Sequence, residues 1–161
     1  MRTAVLTISS SVSRQESEDA SGPLLAELAE GAGADVLAME VVGDDLALIE
    51  GRLHHYVDEG FALILTTGGT GLTPDDVTPE ATRAVLDREA PGIAEALRAE
   101  AVRHTPMGVL SRGAAGVAGR TLIINLPGSP NAVRESLAVL GEVLPHAVSQ
   151  IRGDGGHRDR H

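Results

Sequence analysis

Two adjacent carboxylates, Asp75 and Asp76, stand a few residues beyond the run Thr66-Thr67-Gly68-Gly69-Thr70-Gly71. Glycines expose bare backbone N–H groups and threonines add hydroxyls, which together can surround an anion such as phosphate. Such a cradle has no need of carboxylates, whereas a cation bridging nucleotide phosphates does; Asp76 and Asp75 therefore read as candidates to hold Mg²⁺. The alternative for Thr67–Gly71 is a tight strand-to-helix connection, and for Asp75 and Asp76 plain turn chemistry. The run matches neither Gly-x-Gly-x-x-Gly nor a phosphate loop, since no Gly-Lys-Ser/Thr follows. Asp44 has two readings as well, helix N-cap or a third acid near the same ligand. Leu126-Pro127-Gly128-Ser129-Pro130-Asn131 is a rigid turn whose Gly128 amide and Ser129 hydroxyl could meet an anion at a helix start.

Composition narrows the chemistry. All 13 basic residues among the 161 are arginine. The absence of lysine excludes Schiff-base catalysis and a lysine-dependent phosphate loop. A polyanionic ligand would then need backbone amides, arginines and a divalent cation. A formal charge of −10 argues against nonspecific nucleic-acid binding. With no cysteine, disulfides and thiolate metal sites are excluded. Histidines 54, 55, 104, 146, 157 and 161 lack metal-ligand spacing and read as surface residues. No serine sits in a nucleophile elbow. There is no stretch of about 20 apolar residues for a membrane span and no signal-peptide pattern, so a cytoplasmic protein is expected.

The elements that must position these groups follow from periodicity. Strands are predicted at 3–8, 35–42, 61–66 and 121–125, with a minor one at 114–117. Helices are predicted from Leu24 to about Gly31, over Leu46, Ile49, Leu53 and Val57, from Pro79 to Arg88, from Ile93 to Arg103, and from Pro130 to Ile151 with a kink at Pro145. Thr78 is expected to cap the third of these. Alternation of strand and helix predicts one α/β domain over 1–152, a mostly parallel sheet between helical layers, followed by a flexible tail over 153–161. In such sheets ligands bind beyond the carboxyl ends of the strands. Ser9–Ser11, Gly43–Asp44, Thr67–Gly71 and Asn125–Pro127 then fall on one edge.

The run from Thr66 to Ala81, with Pro91–Arg98, Leu110-Ser111-Arg112 and Ile124–Pro130, resembles the Mog/MoaB-type molybdopterin adenylyltransferases of molybdenum cofactor biosynthesis. The resemblance covers roughly Thr3 to Ile151. It implies a three-layer α/β/α sandwich, assembly as a homotrimer or hexamer, and the molybdenum insertion enzyme as a partner. It implies Mg²⁺-dependent transfer of AMP from ATP to the terminal phosphate of molybdopterin, with a non-catalytic molybdopterin carrier as the alternative. Asp76 and Asp44 match the essential aspartates, Gly68–Gly71 the nucleotide-binding turn, and Ser111, Arg112, Asn125 and Pro127–Pro130 the pocket loops. One departure is visible: Ser10-Ser11 stands where family members often carry Asp-Arg or Asn-Arg. Arg14 is the nearby candidate to compensate, and Asp19 matches a later acidic position.

Overall fold

The computed structural model describes residues 1–154. Histidines 157 and 161, and most of the expected tail, lie outside them. Six strands form one sheet in the order β2-β1-β3-β6-β5-β4. They are β1 (Arg2–Ile8), β2 (Asp35–Val42), β3 (Leu63–Thr67), β4 (Arg88–Glu89), β5 (Ala115–Ala118) and β6 (Thr121–Leu126). The first three and β6 run parallel, and β5 is antiparallel to both its neighbours. The mostly parallel expectation holds.

The seven helices among the described residues are α1 (Ser10–Ser13), α2 (Ser21–Gly31), α3 (Leu46–Asp58), α4 (Thr78–Val85), α5 (Pro91–His104), α6 (Pro130–Leu140) and α7 (Val143–Arg152). One apolar cluster joins Val5, Leu65 and Ile124 of the sheet to Leu25 of α2, Leu97 of α5, Val133 of α6 and Leu144 of α7. The other joins Leu6, Ile64 and Ile123 to Ile49 and Leu53 of α3 and Val85 of α4. Alternate residues of the central strands therefore face opposite helical layers, as a strand buried on both faces requires. This is the three-layer sandwich.

Four details depart from the sequence reading. Helix α4 stops at Val85, and Arg88–Glu89 instead pairs with β5 as a short edge strand. The long C-terminal helix is two helices whose break precedes Pro145, with Gly141 capping the first. Leu46 is 45% exposed, and at the other end of α3 Tyr56 is buried where Val57, expected there, is only partly so. Thr66 and Thr67 lie in β3 and are fully buried, so the strand ends nearer the glycines than its apolar residues suggested.

Candidate functional site

Between β2 and β3 the chain crosses from one side of β1 to the other, so the crevice beyond the ends of β1 and β3 is the sheet's switch point. There lies a cleft of about 340 Å³ lined by Asp19, Asp44, Thr67, Gly68, Gly69, Asp76 and Gly128, among others. Beyond β3 and β6 a second hollow, about 510 Å³, is lined by Thr70, Gly71, His104, Met107, Leu110, Ser111, Pro127 and Ser129, among others. The glycine turn forms the wall between them. Sequence reasoning expected one edge; the structure divides it in two.

Each feature of the turn has a local cause. Gly68 and Gly69 adopt φ of +101° and +67°, conformations that other residues reach only with strain. A Cβ on Gly68 would stand 2.3 Å from the carbonyl of Ile8. The Gly68 amide donates to Leu126 O at 3.0 Å, and Thr67 Oγ1 donates to Pro127 O at 2.8 Å, tying the two loops together. The amides of Gly69, Thr70 and Gly71 donate to no group among the described residues. Three successive free donors, beginning at the second of two left-handed glycines, make a concavity suited to an anion.

The acids are held differently from one another. Asp45, not Asp44, caps α3, its Oδ1 accepting from Leu48 N at 2.9 Å. This leaves Asp44 for the cleft. Its Oδ2 accepts from the Ser10 amide at 3.1 Å and the Ser10 hydroxyl at 2.9 Å, while its own amide donates back to Ser10 Oγ at 2.9 Å. Ser10 thus anchors Asp44 through three hydrogen bonds, a role that sequence reasoning missed although Ser10 was visible as the departure after β1. Arg14 takes no part: it pairs with Glu16 on the surface. Asp19 accepts from Thr7 Oγ1 and the Gly22 amide, both at 2.8 Å. Asp76 Oδ2 accepts from the amide and hydroxyl of Thr73 at 3.0 and 2.9 Å, fixing the turn it belongs to. Asp75 is exposed and lines neither hollow.

Two expected ligand residues are engaged inside the protein. Arg112 donates to Gly71 O at 2.9 Å, to Asp76 O at 2.7 Å and to the carboxylate of Glu80, while its amide donates to Thr70 O. It staples the turn from behind. The same contact holds the Glu80 carboxyl below its ordinary range, through hydrogen bonding to Arg112 first and despite some burial. Asn125 is 3% exposed; its Oδ1 accepts from Ala114 N, and its Nδ2 donates to Thr66 and Thr82 hydroxyls at 3.0 and 2.9 Å. It ties β6 to β3, α4 and the strand start at β5. Pro127, Gly128, Ser129 and Pro130 form the expected turn, with Ser129 Oγ accepting from Ala132 N at the start of α6. Ser111 reaches the second hollow.

No arginine lines either hollow among the described residues, so the arginines expected to neutralise an anion are absent from them. Nor is any group of three or more His, Cys, Asp or Glu side chains there arranged to hold a metal ion. What the cleft offers is a pair of aspartates with carboxylate oxygen to spare and the free amide of Gly69, the first of the run that continues into the second hollow. Hard oxygen donors in this number suit Mg²⁺, which keeps several waters and is commonly held by one or two carboxylates plus substrate phosphates.

A family model described as "Probable molybdopterin binding domain" matches residues 4–146. The chain is 43% identical over 152 residues to the molybdenum cofactor synthesis protein cinnamon of Drosophila melanogaster, covering 93% of this chain and 25% of that protein. It is 38% identical over 153 residues to a molybdopterin adenylyltransferase of Helicobacter pylori strain J99, covering 93% of this chain and 87% of that one. Four curated relatives, cinnamon included, are longer proteins of which the chain spans 22–49%. Its structure superimposes on the molybdopterin biosynthesis enzyme MoaB of Thermus thermophilus with a TM-score of 0.89 at 51% identity, covering 94% and 96% of the two chains. No helix among the described residues is long and apolar enough to cross a membrane.

Proposed function

The chain belongs to the molybdopterin-binding-domain family of molybdenum cofactor biosynthesis, and from that premise we propose that it is a molybdopterin adenylyltransferase. The observation that carries this reading is the switch-point cleft, where Asp44 and Asp76 meet the unengaged amide of Gly69, the free amides of Thr70 and Gly71 continuing the same turn on the side of the second hollow. The reaction joins two anions. An oxygen of the terminal phosphate of molybdopterin attacks the α-phosphorus of ATP, the bond to the β-phosphate bridging oxygen breaks, and pyrophosphate leaves. The attacking phosphate is largely ionised at neutral pH, its second pKa being about 6, so no protein nucleophile or strong base is required.

Catalysis is then positioning and charge stabilisation. The Gly69, Thr70 and Gly71 amides hold phosphate oxygens. Thr67, bonded to Pro127, and Gly128 keep the two loops in register. Asp44 and Asp76 would hold Mg²⁺, which when bound neutralises charge between the phosphates. Ser10 fixes the orientation of Asp44, and Arg112 with Asn125 holds the turn rigid from the protein side. The second hollow, lined by Met107, Leu110 and Pro127 with Ser111 and Ser129, suits a flat heterocycle of a substrate. Assembly as a homotrimer or hexamer, a cytoplasmic site of action and hand-over of the product to the molybdenum insertion enzyme belong to the same reading.

Pyrophosphate release on mixing the protein with molybdopterin, ATP and Mg²⁺ tests it. Release that depends on all three is the expected result. Tight molybdopterin binding with no AMP transfer would replace the enzyme by a carrier.

A further inference from the structure

Thr78 is 0% exposed, and its hydroxyl has no hydrogen-bond partner. Instead of capping α4 from outside, it sits inside the first turn, with Val77 at the cap position. Its backbone is fixed by donation from its amide to Gly69 O at 3.2 Å. A buried hydroxyl without a partner is costly, and a valine of nearly the same shape would avoid that cost. The position of the oxygen suggests why threonine stands there. A Cβ placed on Gly69 would meet Thr78 Oγ1 at 2.2 Å and Asp44 Oδ1 at 3.3 Å, so both oxygens crowd the same side of Gly69. Asp44 Oδ2 is already occupied by Ser10, whereas Oδ1 accepts nothing among the described residues.

We infer that Thr78 is a positioning residue for Asp44: its hydroxyl donates to Asp44 Oδ1 in the loaded cleft, opposite the Ser10 contact, and holds the carboxylate toward a divalent cation. Hydrogen bonds of this kind orient metal-ligating carboxylates, and their loss typically weakens metal binding by about 10- to 100-fold. Gly69 is then required for a second reason besides its backbone conformation, since any side chain would part the two oxygens. The inference rests on the reading of the cleft as a phosphate and cation site.

The test uses the full chain with ATP present and Mn²⁺ as a spectroscopic probe, free Mn²⁺ being followed by electron paramagnetic resonance. Thr78→Val is expected to weaken Mn²⁺ retention by about tenfold or more, and Thr78→Ser to stay close to the parent. In turnover, Thr78→Val should raise the KM for Mg²⁺ while kcat recovers at saturating metal. Its ligand-free melting temperature should not fall, because the hydroxyl it removes has no partner in the free protein. Parent-like Mn²⁺ retention in Thr78→Val, alongside its loss in Asp44→Asn, would overturn the inference and leave the cation reading intact. Parent-like retention in both variants would overturn the two together. A melting temperature lowered in Thr78→Val and not restored in Thr78→Ser would assign Thr78 a structural role instead and overturn the inference.

Discussion

The two hollows on the sheet edge share a wall and little else. The switch-point cleft is lined by four acids, Glu18, Asp19, Asp44 and Asp76, together with a glycine turn and hydroxyls. The hollow beyond β3 and β6 is lined by the apolar side chains of Ala101, Met107, Leu110 and Pro127 together with polar groups such as His104, Ser111 and Glu135. The difference follows from topology. The switch point is where two connections leave the sheet in opposite directions, so strand ends there terminate in short polar loops rather than in covering helices. The second hollow is roofed by α5 and the 3-10 turn Pro106–Leu110, which bring apolar side chains. In the proposed reaction this difference would divide the labour, with charge handled on one side of the glycine turn and shape on the other.

The largest effect expected from breaking this division is at Asp76. Asp76→Asn should lower kcat for AMP transfer by about 100-fold or more while molybdopterin still binds, as measured by pyrophosphate release and by direct titration. Equal activity in that variant would remove Asp76 from the chemistry. Next comes the wall itself. Gly69→Ala imposes a side chain at φ +67° and on the Thr78 hydroxyl, so a loss of about 1–3 kcal/mol in stability should accompany impaired transfer, read by denaturant unfolding and turnover. An effect on transfer without one on stability would mean the turn tolerates the strain.

On the apolar side, Met107→Ala should raise the KM of one substrate by about 10-fold, the scale of about 1–3 kcal/mol for lost apolar contact, and leave the Mg²⁺ dependence unchanged. A changed metal dependence would show that the hollows are not separate in function. The smallest effect belongs to the staple. Glu80→Gln should cost less than about 1 kcal/mol at neutral pH, because the Glu80 side chain is 47% exposed. Arg112 holds the folded-state pKa of Glu80 below the ordinary value of 4.5. Its contribution is therefore present above that value and disappears as pH falls through the lower folded-state value. Melting temperatures of parent and variant should converge on acidification.

Much of this is legible in order along the chain. Strand and helix periods, the glycine turn and the acids after it are local signals, carried by residues a few positions apart. They locate the edge, the β3 turn and the Asp44 and Asp76 candidates. What the sequence leaves open has one cause. The resemblance marks Arg112 as a pocket-loop residue but does not reveal that Glu80 and the carbonyls of Gly71 and Asp76, 32 to 41 residues away, use its donors. Asn125 reads as a pocket residue at a strand end, but the engagement of its amide by Thr66 and Thr82 comes from 59 and 43 residues away. The C-terminal helix reads as continuous because a break at Gly141 leaves the apolar spacing of Val133, Leu137, Leu140 and Leu144 undisturbed.

By itself the sequence determined which groups exist and where the backbone can turn: amides bared by glycine, carboxylates at a strand end, no lysine to serve a phosphate. Periodicity and backbone sterics act over a few residues, so those properties needed no knowledge of the fold. The tertiary structure decided which oxygen of which acid remains available. Ser10 occupies one side of Asp44 from 34 residues away, Asp45 relieves Asp44 of the cap, and the Thr78 hydroxyl is left buried beside Gly69 without a partner. Hydrogen-bonding capacity is finite, and how it is spent depends on neighbours that only folding brings together.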